Sequence, residues 1–78
     1  MPQRFGEKLK WLRGKRGLSL RALADELEGV SYSYISLVEN GERQPNAELI
    51  FKVSKLFGVS ADDLLDDGRE VEVREDTP

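Results

Sequence analysis

Cysteine and histidine are both absent from this 78-residue chain. Without cysteine there is no disulfide frame and no thiolate nucleophile, and without histidine there is no imidazole base or ligand. Enzymatic chemistry therefore has little to stand on, since the remaining carboxylates are those that any acidic surface supplies, and neither a metal nor a cofactor is expected. No run of about 18 apolar residues is present, as a membrane-spanning helix would require, and the N-terminus lacks the apolar stretch of a signal peptide. The expectation is a cytoplasmic protein with no membrane partner. One domain of this length has a core near the lower limit for folding alone, so a second protomer would add stability.

Charge of either sign is plentiful but unevenly placed. Residues 1–60 hold ten Lys/Arg against seven Asp/Glu, giving +3, whereas residues 61–78 hold two against eight, giving -6; together they make the net -3 of the whole chain. The basic surplus thus lies in residues 1–60, within a domain taken as residues 1–66, and an acidic tail, residues 67–78, follows. A charge run of this kind is most simply a solvated face.

The apolar spacing of the first sixty residues is helical. Phe5, Leu9, Leu12 and Arg16 form one stripe of a helix over residues 3–16, which Gly17 ends. Ser19 caps a second helix with Leu20, Leu23, Ala24 and Leu27 on one face, broken at Glu28 and Gly29. Ser31 caps a third, which Gly41 stops. Asn46 after Pro45 caps a fourth, with Leu49, Ile50, Val53, Leu56 and Phe57 inward, and Gly58 closes it. A fifth starts at Ser60, where Ser60 and Asp63 have capping-box spacing. The fold class is all-α, with five helices and no room for a sheet in the core. Trp11 lies off the Phe5 stripe, free to cover the tail or a partner chain.

The third helix has two faces. At about 100° per residue, Tyr34, Ile35 and Val38 fall together, and Tyr32, Ser33, Ser36, Leu37 and Asn40 fall opposite. The first set is expected in the core. The second is a small uncharged surface bounded by Glu42 and Arg43, whose hydroxyls permit close approach of another surface.

The run LSLRALADELEGVSYSYISLVENGERQPNAELIFKVSKLFGV, residues 18–59, resembles the helix-turn-helix domain of the Xre and phage Cro/repressor transcriptional regulators. The resemblance rests on Ala24 before the turn, the turn glycine Gly29, Ser-Tyr-Ile-Ser leading to Glu-Asn-Gly, Pro45, and the closing Phe-Gly-Val-Ser. It implies a compact five-helix, lambda-repressor-like domain whose second helix crosses the DNA backbone while the third, residues 31–40, enters the major groove. Carried over residue by residue, it makes Tyr32, Ser33 and Leu37 the base readers, and Ser19, Ser36, Asn40 and Arg43 the phosphate contacts. It also pairs Arg13 late in helix one with Glu39. The implied function is sequence-specific binding of double-stranded DNA, as a homodimeric regulator and most simply a repressor. The rival reading from another class is a protein-interaction module of the same fold, such as an antitoxin or anti-repressor.

Two positions depart from the family pattern. Leu37 stands where a longer polar residue is commoner, so Tyr32, Ser33 and Leu37 offer single hydrogen bonds and one contact to a thymine methyl, with no bidentate pairing among them. Four residues, Asp25 to Glu28, separate Leu23-Ala24 from the turn glycine where three are usual, which bears on the tilt between helices two and three. In the tail, Val71 and Val73 alternate with Glu70, Glu72 and Arg74, the pattern of a strand that could pair with its copy across a two-fold axis.

Overall fold

Four of the five helices begin on a side chain that takes up a free backbone N–H. The Ser19 hydroxyl accepts from the Ala22 amide at 3.0 Å, Ser31 from Tyr34 at 3.2 Å, Asn46 from Leu49 at 2.8 Å and Ser60 from Asp63 at 3.0 Å. Each removes an orphan donor that helix geometry would otherwise leave. In the computed structural model, which describes residues 4–71, the resulting order is α1 (Phe5–Lys15), α2 (Leu20–Glu26), α3 (Tyr32–Glu39), α4 (Ala47–Phe57) and α5 (Ala61–Leu65). Every regular element among the described residues is helical, and none is long and apolar enough to cross a membrane. The second half of the Ser60–Asp63 box is put to another use, because the Asp63 carboxylate faces Arg69 at 2.9 Å.

The core is built from the stripes. Phe5, Leu9 and Leu12 of α1 meet Leu23 and Leu27, Ile35 and Val38, Leu49, Val53 and Phe57, with Val59 and Leu64 closing the end; all are buried. Arg16 continues the α1 stripe by another means. Its guanidinium lies 4.9 Å from the centroid of the Phe57 ring and donates to the Leu56 carbonyl at 2.9 Å, at the C-terminal end of α4. Lys8 is buried too, at 2% exposure. Its ammonium donates to the carbonyls of Asp63 (2.5 Å) and Asp66 (2.7 Å), so a cation closes the C-terminal end of α5, where the helix dipole favours it.

Helices α1 and α3 cross at closest approach over Gly6, where a Cβ would stand 2.1 Å from the Val38 carbonyl oxygen and 3.0 Å from Glu39 Cα. No other residue fits there without moving one helix off the other. The turn between α2 and α3 places two successive residues in the left-handed region, Glu28 at φ 44° and Gly29 at φ 91°. The glycine accepts this without strain, whereas Glu28 carries a cost of roughly 1–2 kcal/mol. The Glu28 carbonyl, turned outward by that geometry, accepts a hydrogen bond from the Lys52 ammonium on α4.

The acidic tail starts against α1. The Arg4 amide donates to the Asp67 carboxylate at 3.0 Å, and its guanidinium donates to the Asp67 carbonyl at 2.9 Å and makes a two-pronged pair with Glu70 at 3.0 and 3.1 Å. The Glu70 hydrogen bonds push the Arg4 pKa further up, and the Arg4 guanidinium holds the Glu70 carboxyl below its ordinary value. Trp11, half-exposed with the Lys15 ammonium 4.9 Å above its ring, lines a groove with Lys8, Glu70 and Val71. Glu70 and Val71 are not in a strand, and the rest of the alternating segment, from residue 72, lies outside the described residues.

Candidate nucleic-acid interface

The outward face of α3 follows from what holds its inner face. Ile35 and Val38 are buried. Tyr34 is half-buried at the core edge, and its hydroxyl donates to the Gln44 carbonyl at 2.7 Å while accepting from the Asn46 amide at 2.9 Å. One phenol thereby fixes the loop after α3 and the start of α4 to the first turn of α3. At the other end, Arg13 Nε and Nη2 make a bidentate pair with the Glu39 carboxylate at 2.8 and 3.0 Å, and Nη1 donates to the Leu18 carbonyl at 2.9 Å. A single guanidinium therefore ties α1, the approach to α2 and the last turn of α3. The side chains are 19% and 4% exposed, and the hydrogen bonds that Arg13 donates to Glu39 push its pKa further up despite partial burial. Pairing of this kind fixes register and orientation more than it adds net stability.

With α3 held from behind, Tyr32, Ser33 and Asn40 stand exposed, while Ser36 and Leu37 are half-covered. Leu37 is thus less exposed than the helical wheel indicates, and its carbonyl accepts from the Glu42 amide at 2.8 Å in the turn that ends α3. The structure brings Tyr32, Ser33, Ser36, Leu37 and Asn40 onto one uncharged face. Ser19 stands exposed at the start of the neighbouring helix; its oxygen is already engaged by the Ala22 amide, and its O–H remains to donate. Arg43 stands apart, exposed in the loop after α3, lining a shallow groove with Phe5, Gly6 and Pro45.

One residue at this face was missed by reading the sequence. Arg21, in the first turn of α2, lays its guanidinium 4.8 Å from the centroid of the Tyr32 ring. The available signal was its position: with Leu20, Leu23, Ala24 and Leu27 inward, Arg21 is left on the outer side of a helix that packs beside α3.

A family model described as helix-turn-helix matches residues 9–64. Among curated proteins, the HTH-type transcriptional regulator SinR of Bacillus subtilis is 38% identical over 69 residues, covering 87% of this chain and 61% of SinR. An uncharacterized HTH-type transcriptional regulator of Methanocaldococcus jannaschii, MJ0272, is 40% identical over 57 residues, covering 73% of this chain and 85% of that protein. The HTH-type transcriptional activator BcrR of Enterococcus faecalis is 43% identical over 61 residues, covering 78% of this chain but 29% of its own length.

Proposed function

The chain belongs to the Xre-type helix-turn-helix family of DNA-binding transcription regulators, and from that premise we propose that it binds a specific double-stranded DNA site as a homodimer, with α3 of each protomer in the major groove, and acts as a repressor. The observation that supports this most is the contrast across α3: a back face fastened at both ends by Tyr34 and by Arg13–Glu39, and an uncharged front face on which Tyr32, Ser33 and Asn40 are exposed and Ser36 and Leu37 half-covered. A helix held that firmly, with small hydroxyls forward, can lie against base edges without rearranging. Ser19, Ser36, Asn40 and Arg43 are proposed to position the domain through phosphates, and Tyr32, Ser33 and Leu37 to touch bases. Repression follows most directly, because a bound pair of domains blocks a promoter without any further contact.

Selection from a random-sequence duplex pool tests the proposal. The expected product is a two-fold motif with half-sites about 10 base pairs apart, bound by two protomers. The binding constant should fall steeply with salt, log K against log[salt] having a slope of several units. Enrichment of no motif, with at most salt-insensitive binding, would favour a protein-interaction module instead.

A further inference from the structure

We infer that Arg21, held by the Tyr32 ring, is a guanine-recognising residue of this interface; the inference rests on the DNA-binding reading above. None of the proposed base readers, Tyr32, Ser33 and Leu37, carries the paired donors that guanine O6 and N7 accept, and the amide of Asn40 on the same face suits adenine instead. Arg21 supplies that missing element from the adjacent helix. Its guanidinium lies over Tyr32, the first residue of α3, and both side chains are exposed.

Stacking on a ring occupies the face of a guanidinium and leaves its in-plane N–H donors directed outward. Arg4, Arg13, Arg16 and Arg69 all spend donors on carboxylates or carbonyls, whereas among the described residues Arg21 is engaged by the Tyr32 ring alone. A guanidinium resting against the Tyr32 ring with its N–H donors unspent matches guanine O6 and N7. Position adds a second argument. A cation in the first turn of a helix opposes the helix dipole, and no acidic residue accompanies Arg21 in the first turn of α2, so the helix itself does not favour this placement. Tyr32 then acts as a positioning residue for Arg21 in addition to any contact of its own.

The experiment is duplex selection from a random pool with the wild-type chain and with Arg21→Gln, Arg21→Lys, Tyr32→Phe and Tyr32→Ala, each checked by a thermal melt. Wild-type motifs should contain a guanine in each half-site that Arg21→Gln loses or exchanges for adenine, with the other positions kept. On the selected duplex its affinity should fall on the order of 10- to 100-fold, with little change on scrambled DNA. Arg21→Lys should weaken the guanine preference while keeping the salt slope, because it retains the charge and not the fork. Tyr32→Phe should keep the guanine and Tyr32→Ala should weaken it. The inference is overturned if the motif survives Arg21→Gln unchanged, or if that variant weakens binding to every duplex alike and lowers the salt slope by about one unit, the signature of a phosphate contact. Should the wild type enrich no motif, the DNA-binding reading falls first and this inference with it. Should Arg21→Gln fail to fold, Arg21→Lys decides the matter, since it keeps the stem and the charge.

Discussion

At the scale of single residues, the most constrained atom is one that is absent. Gly6 carries no Cβ because the Val38 carbonyl oxygen occupies its place at 2.1 Å. Gly6→Ala must push α1 off α3, and denaturant unfolding should show a loss of about 3 kcal/mol, at the upper end of overpacking costs because backbone rather than a flexible side chain stands in the way. Glu39→Ala acts at the same crossing by a different route. It strips Arg13 of two hydrogen bonds in a site where the carboxylate is 4% exposed, and should cost about 3 kcal/mol, or roughly 10–20 °C in melting temperature for a domain of this size. A Glu39→Ala protein that melts with the parent would mean that the ion pair contributes nothing to holding α3. The sequence disclosed the Glu39–Arg13 pairing only through family resemblance. Gly6 was silent, because a glycine inside a helix looks like any weak point until the neighbouring helix is placed over it.

Elements were legible to the degree that their signals are local. Ser19, Ser31, Asn46 and Ser60 start helices because a hydroxyl or amide oxygen reaches an N–H three residues on, and that reach is written in the spacing. Lys8 escaped notice because a lysine on a helix reads as solvated. Its place three residues after Phe5 and four before Leu12 put it on the buried stripe, yet the carbonyls that accept from it belong to a helix 55 residues further on. The α2–α3 turn shows the same division. The extra residue could be counted, whereas the left-handed Glu28 could not be read, since nothing local distinguishes it from Leu27, at φ -86°. Replacing Glu28 by glycine should relieve that strain and raise stability by about 0.5–1 kcal/mol in chemical denaturation, the relief of backbone strain exceeding the entropy that glycine adds to the unfolded chain. The hydrogen bond from Lys52 is to the Glu28 backbone carbonyl and survives the change. An isoleucine there should destabilise by a similar or larger amount.

For the molecule as a whole, the fold depends on Arg4 to bring the start of the acidic tail back to the start of α1. The Arg4 guanidinium, through its hydrogen bonds and its charge, holds the Glu70 carboxyl below its ordinary value, so this attachment is complete above the ordinary carboxylate range and is lost as pH falls through the depressed value. Trp11 shares a groove with Glu70 and Val71, and its fluorescence should therefore change on acidification below about pH 4, before global unfolding. Glu70→Gln should abolish the step, and salt at about 1 M should mimic it, since the pair is exposed and readily screened. Unchanged Trp11 emission across that range in the parent would show that Glu70 does not hold the tail against α1. The clasp has a further consequence. Residues 4 and 70 meet across 66 positions of sequence, so the described chain runs nearly as a closed circle. Linear order is then a weak constraint on the described fold: a short linker could join residue 71 to residue 4, and the circle could be opened at the exposed Gly41–Arg43 segment after α3. Such a permuted chain would present the same helices in the same places while starting its synthesis at α4.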